Sequence, residues 1–343
     1  MAYLDEHVRA AIRPIKRRVE DELLARPGVV GVDIGEKTTG GQPTGRAAIV
    51  VYVGVKHHSQ RFAIPVRYGD VPTDVVEDSF LPHRALAWSD GVHGAERHTC
   101  VVGGIGVGPC RVIRFVPPDV PVPGDYSVVG TLGALVTPRS ASPRVMALTS
   151  FHVACVDDAW AVGDGMAHPS LVDGGHPWDD RIGTLARAAL SGSVDGAALL
   201  LGSHLDCRAE VVELGPVRGR ASAVVGTAVR KRGRTTGLTE AVVVSTDASV
   251  SLDFGNDLGV RTLRNQVRVE AAPGGRFGDH GDSGAVLLDD ANHVVGLYCA
   301  GNPSGGGGGG PPQDPPGAAL ARTDKGGGWV IRRGGGGGGG GGA

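Results

Sequence analysis

The sequence carries no excess of charge of either sign: 34 Lys and Arg stand against 36 Asp and Glu. A chain so balanced offers no electrostatic handle for nucleic acid or an anionic membrane, so neither is expected as a partner. Long apolar runs are also missing. Every apolar stretch is strand-sized, well short of the roughly eighteen residues of a membrane-spanning helix. Residues 1–27 carry charges throughout and lack the continuous apolar core of a secretory signal, which makes a cytoplasmic location the expectation. Cysteine is scarce. Its five positions, Cys100, Cys110, Cys155, Cys207 and Cys299, are odd in number and contain no CxxC pair, which speaks against a disulfide framework. A bridge between Cys100 and Cys110 across a hairpin is one reading, and free, buried thiols are the simpler one. With His93 and His98 they match none of the usual structural-zinc spacings, and no metal or organic cofactor is expected.

A chain of 343 residues suffices for two or three compact units. In residues 1–95, Leu4, Val8, Ile12, Ile15, Val19 and Leu23 recur at three and four, which predicts an amphipathic helix bent at Pro14 and ended by Arg26-Pro27-Gly28. Two β-rich segments follow, Val29 to Ile34 and Ala47 to Val55, around a glycine-rich turn. Together they predict a small α+β domain covering one sheet face, with no chemistry of its own; His57-His58 reads as a solvated strand end. Residues 101–301 differ. Short β-rich runs such as 130–136, 145–148, 196–201, 241–245, 266–269, 285–288 and 294–298 alternate with Gly, Pro, Asp and Asn. That pattern predicts a mainly β sandwich or barrel, with two barrels fitting its length. Residues 302–343 hold unbroken glycine from 305 to 310 and from 334 to 342, and read as a disordered tail. Trp329-Val330-Ile331 is its one apolar island, docked or free.

Three short runs carry possible chemistry. In Gly281-Asp282-Ser283-Gly284, flanking glycines permit a tight turn that projects a hydroxyl and aims amides at one point, where an oxyanion would be held. An ordinary polar turn has the same composition. In Leu148-Thr149-Ser150-Phe151-His152-Val153-Ala154 a histidine follows a β-rich run, either as a base or as a satisfied strand-end residue. In Val194-Asp195-Gly196-Ala197-Ala198-Leu199-Leu200 an acid opens an apolar strand, either to orient an imidazole or as a turn residue.

In the order His, Asp, Ser, these runs resemble the trypsin-like, chymotrypsin-fold serine protease family. The runs Gly130-Thr131-Leu132-Gly133-Ala134-Leu135-Val136, Arg181-Ile182-Gly183-Thr184-Leu185 and Lys231-Arg232-Gly233-Arg234-Thr235-Thr236-Gly237-Leu238-Thr239 are similar to bacterial trypsin-like proteins and the plant narrow-leaf protein group. The resemblance covers residues 101–301 well, and the N-terminal region more loosely through Pro27-Gly28-Val29-Val30-Gly31-Val32.

It implies a chymotrypsin-like double antiparallel β-barrel, preceded by the small α+β domain and followed by the tail. It implies His152 as general base, Asp195 as its orienting acid and Ser283 as nucleophile, with the amides of Gly281 and Ser283 as oxyanion hole. The strand ending in Cys299, Ala300 and Gly301 would offer a backbone edge to an extended protein or peptide substrate. Phe277 would lie near the pocket floor and favour apolar or small side chains. His280 either stays exposed or narrows the oxyanion entrance. Asp206 is the nearest rival to Asp195; Asp157 and Asp158 follow His152 too closely to return to its imidazole from a neighbouring strand, and Asp179-Asp180 reads better as a turn. The basic run Arg230 to Arg234 reads as a solvated hairpin edge, and Gly103 to Gly108 as a strand entry rather than a nucleotide loop. One departure is plain: after Gly301, where the family completes its second barrel, this chain turns to glycine. A non-catalytic interaction module on a protease scaffold is the alternative to an endopeptidase.

Overall fold

The turn-separated β-rich runs of residues 101–301 become antiparallel strands in two rings of pairings. In this computed structural model the described residues are 4–55, 64–83, 85–86, 97–138, 144–272 and 275–301, with the backbone of 318–322 and 329–331. His57, His58, His93 and most of the glycine-rich tail fall outside them.

The first ring turns on one bent stretch. Its first half, Val128–Thr131, pairs with Gly106–Pro109, and its second half, Leu135–Pro138, pairs with Met146–Thr149. From there the pairings run through Val194–Leu201, Arg181–Ser191 and Gly165–Ala167 back to Gly106–Pro109. The second ring runs through Ala228–Gly233, Gly237–Asp253, Val260–Glu270, Ala318–Arg322, His293–Gly301 and Val286–Leu288, then returns to Ala228–Gly233. This is the mainly β, double-ring architecture expected of a chymotrypsin-like chain.

Part of the tail takes part. Ala318–Arg322 fills the gap between Val260–Glu270 and His293–Gly301, so the second ring closes through residues beyond the first glycine run. The apolar island Trp329–Ile331 pairs with Leu135–Pro138 of the first ring. Both pieces are apolar stretches between glycine runs, and they join through main-chain groups that every non-proline residue carries.

The helix spans Glu6–Leu24 with Pro14 inside it, and the Asp5 carboxylate accepts from the His7 amide at 2.7 Å to cap its first turn. Its buried face is not purely apolar. Ile12, Val19 and Leu23 are buried, Val8 is 40 % exposed, and Arg9, Lys16 and Glu20 complete the face. Arg9 donates to the carbonyls of Ile34 at 2.7 Å and Val244 at 3.1 Å. The Lys16 ammonium meets Glu20 at 2.5 Å and the Ser249 hydroxyl at 2.8 Å. Val244 and Ser249 belong to Gly237–Asp253, so the helix is bolted to the second ring by buried polar groups.

Beneath it, strands Val29–Thr39 and Gln42–Val53 form a hairpin turned at Gly40-Gly41, and Val71–Glu77 adds in parallel. Gly31 and Val32 pair with Val250 and Ser249. The N-terminal α+β unit therefore shares a sheet with the second ring. All five cysteines are free thiols; Cys155 and Cys299 are buried, the others half-buried. Among the described residues, no three His, Cys, Asp or Glu side chains gather as metal ligands, and no helix is long and apolar enough to cross a membrane.

Arg9→Ala removes both guanidinium bonds and the buried ion pair with Asp247 at 3.7 Å. The expected loss is about 3 kcal/mol of unfolding free energy, read from urea denaturation. An unchanged midpoint would show that the helix is not anchored through Arg9.

Candidate active site

Where Met146–Thr149 ends, Ser150 leads into a single helical turn, Phe151–Ala154, that carries His152. The adjacent strand brings Asp195 alongside. One Asp195 oxygen takes the His152 Nδ1 at 2.5 Å, and the other accepts from the His152 backbone amide at 3.2 Å. This two-point grip fixes the ring and directs the Nδ1 proton to the carboxylate. Nε2 is then the basic nitrogen; it is buried and has no hydrogen-bond partner among the described residues. Phe254 lies against the ring at 5.6 Å between centroids.

Ser283 sits in a turn whose two glycines both have positive φ, 98° at Gly281 and 99° at Gly284, a region that side chains other than glycine rarely adopt. The first-ring and second-ring segments meet here. The Ser150 hydroxyl, at 3.1 Å, and the Gly284 amide, at 2.8 Å, share the Tyr298 carbonyl. The Thr131 amide donates to the Ser283 carbonyl at 2.7 Å. The Ser283 hydroxyl donates to the Cys299 carbonyl at 3.1 Å, and both Ser283 and His152 are buried.

What holds this turn is the residue before the serine. Asp282 accepts from the Lys231 ammonium at 2.9 Å, the Thr236 hydroxyl at 2.6 Å and the Asp279 amide at 3.0 Å on one oxygen. Its other oxygen accepts from the amides of Thr235 at 2.9 Å and Thr236 at 3.1 Å. Burial opposes the charge, yet Lys231 and the Thr236 hydroxyl outweigh it and hold the carboxyl below its ordinary range. Gly233 leaves room for this carboxylate, since a Cβ there would collide with it.

Lys231 thereby corrects the reading of the basic run. It is fully buried, Arg232 is 6 % and Arg234 5 % exposed. Arg232 donates to the Gly104 carbonyl at 2.7 Å, and Arg234 pairs with Asp173. These cations answer buried acceptors contributed from distant parts of the chain, so the run is not a solvated edge.

The Gly281 amide donates to the carbonyl of His83 at 2.6 Å, and the edge at Ala300 and Gly301 pairs with Pro82 and Leu81. Phe277 is 1 % exposed, packed in the second ring and edge-on to Tyr298 at 5.9 Å. His280 is exposed, and its ring lies tilted against that of His83 at 4.8 Å between centroids. The rival acids lie elsewhere: Asp206 pairs with Arg208, Asp157 with Arg111, Asp179 with His176 and Asp180 with Arg97. A cavity of about 330 Å³ reaches Asp195 and Cys299 from the other side, between Arg187, Ser193 and Gln266.

The chain is similar to several solved structures. A Nocardiopsis protease is 18 % identical, with 64 % of this chain and 90 % of that chain covered and a TM-score of 0.40. Thermobifida fusca protease A is 20 % identical, with 65 % and 91 % covered and a TM-score of 0.41. A Cellulomonas bogoriensis chymotrypsin is 23 % identical, with 56 % and 82 % covered and a TM-score of 0.37. No family model and no curated protein matches the sequence. The structures to which this chain is similar are bacterial chymotrypsin-fold serine proteases.

Proposed function

We propose that this chain is a serine endopeptidase that hydrolyses peptide bonds through His152, Asp195 and Ser283. One observation carries the reading. An imidazole gripped at Nδ1 by a buried carboxylate leaves its Nε2 unpartnered, beside a serine turn whose Gly281 amide already binds a peptide carbonyl. His152 takes the Ser283 proton as the hydroxyl adds to the scissile carbonyl, and Asp195 stabilises the imidazolium so formed. The Gly281 and Ser283 amides hold the oxyanion. His152 then hands the proton to the leaving amine, and water releases the acyl group by the reverse sequence. For this, the Ser283 hydroxyl must leave the Cys299 carbonyl and donate to Nε2. The bond to Cys299 is also what favours the second reading, a binding module on the same scaffold.

A base, an orienting acid and a nucleophile act on one proton, so their losses do not add. Ser283→Ala and His152→Ala should each lower peptide turnover by roughly four to six orders of magnitude, and the double variant little further. Asp195→Asn should keep the fold and cost on the order of 10⁴ through the wrong tautomer, with circular dichroism as the folding control. Full activity in Asp195→Asn, or its loss in Asp206→Asn instead, would assign the acid elsewhere.

The Lys231–Asp282 pair gives a stability prediction with a sign. The Asp282 pKa is depressed in the folded state below its ordinary 3.8. Its contribution is therefore present above that value and lost as the pH falls toward the lower folded one. Asp282→Asn should cost about 3–5 kcal/mol at neutral pH by leaving Lys231 buried and unpaired. Its unfolding free energy should also fall less steeply than wild type in acid. Parallel acid profiles would mean that Asp282 is not the group responsible.

A further inference from the structure

We propose that the chain cuts itself after His83, its own residues 80–86 being the first substrate of the active site; this rests on the endopeptidase reading above. The backbone register makes the case. Leu81 and Pro82 pair antiparallel with Gly301 and Ala300 of the second ring. The His83 amide continues that ladder to the Cys299 carbonyl at 3.4 Å, and its own carbonyl accepts from the Gly281 amide at 2.6 Å. Beyond it, Ala85 and Leu86 pair antiparallel with Val129 and Val128 of the first ring. Residues 81–83 thus lie along the second ring and residues 85–86 along the first. His83 presents its carbonyl to the amide expected to hold an oxyanion. Ser283 lies at the same point, because its hydroxyl and the His83 amide share the Cys299 carbonyl.

The side chains fit an occupied cleft. His83 is 1 % exposed; its Nδ1 meets the Tyr298 hydroxyl at 2.7 Å, and the His280 ring lies tilted against it at 4.8 Å between centroids. A Cβ at Gly301 would press into the His83 ring, so that glycine is needed for the imidazole to enter. Burial, with His280 nearby, lowers the His83 pKa to about 4. It is then neutral at physiological pH and needs no counter-charge in the pocket. Phe80, also buried, anchors the segment edge-on against Tyr52 at 5.4 Å. An unrelated loop crossing a groove would not be expected to align its carbonyl, its side chain and both flanking ladders with the site at once.

The step balances without an outside reagent except water. The Ser283 Oγ bonds to the His83 carbonyl carbon while its proton passes to His152 Nε2. The carbon–nitrogen bond to residue 84 breaks as that proton moves to the departing amine. Water then hydrolyses the His83–Ser283 ester, leaving a carboxylate on His83 and the serine restored. The fragment 1–83 stays in place after the cut, since its strand Val29–Thr39 and its helix remain joined to Gly237–Asp253.

The test is the mass of the purified full-length protein, held at neutral pH and denatured at intervals. Wild type should yield fragments ending at His83 and beginning at Arg84 that travel as one species until denatured. The rate should not depend on protein concentration, and Ser283→Ala should remain whole. Fragments in Ser283→Ala, or a rate that rises with concentration, would overturn cutting in cis. Denatured casein separates this inference from the one beneath it. Suppose the chain stays whole while casein is hydrolysed, by wild type or by Phe80→Ala, in which the anchor on Tyr52 is lost. Self-cleavage is then wrong and the endopeptidase reading stands. A whole chain with no hydrolysis by either protein overturns both.

Discussion

A buried carboxylate with five hydrogen-bond donors around it, one of them a buried ammonium, sets the geometry on which the site depends. Asp282 cannot shift without stranding Lys231 in the interior, at a cost of several kcal/mol. Because Asp282 is chain-bonded to Ser283, the same constraint fixes the serine turn and aims the Gly281 amide. Four of the five donors come from Lys231, Thr235 and Thr236, in the hairpin of Ala228–Gly233 and Gly237–Asp253 and its turn, so the second ring holds the serine turn in place. On the first ring, Asp195 grips His152 at two points. The two halves meet at the Tyr298 carbonyl, where Ser150 and Gly284 both donate. Each ring thus orders its own part of the site, and a few hydrogen bonds across the seam set the parts against one another.

Much of this was legible in the sequence, for a physical reason. Short β-rich runs broken by turn residues announce strands wherever local propensity and burial agree, and every such run in residues 130–298 contributes to a strand, although 132–134 split the first of them in two. The pairing of His152 with Asp195 and the glycine-flanked turn at Ser283 were legible through the order and composition of their flanking runs. Lys231 was not. A Lys-Arg-Gly-Arg stretch in a hairpin looks solvated until its partners are known, and Asp282, Asp173 and the Gly104 carbonyl lie far off in the chain. The helix misled in the same way. Its three-and-four spacing was right, but Arg9, Lys16 and Glu20 are buried because Ile34, Val244 and Ser249 lie opposite, and no periodicity encodes those.

The connection between the N-terminal unit and the cleft was invisible for a further reason. Phe80-Leu81-Pro82-His83 carries no motif, and its role comes only from where the sheet delivers it. Val71–Glu77 runs parallel to Gln42–Val53 in the sheet that Gly237–Asp253 shares, and the chain leaving it reaches Cys299 to Gly301 within a few residues. The N-terminal region, which shows no chemistry of its own, is thereby given one: it delivers an extended strand to the site. The Ala318–Arg322 strand likewise joins through main-chain pairing that composition does not reveal.

The central claim is that Ser283 is a nucleophile activated by His152. Its most direct test is reaction of the purified protein with a fluorophosphonate at neutral pH, followed by mass spectrometry of the peptide that contains Ser283. The account predicts one phosphonate per chain, on Ser283, and its near-complete loss in His152→Ala with the fold intact. Failure of Ser283 to react, or equal reaction in His152→Ala, would contradict it.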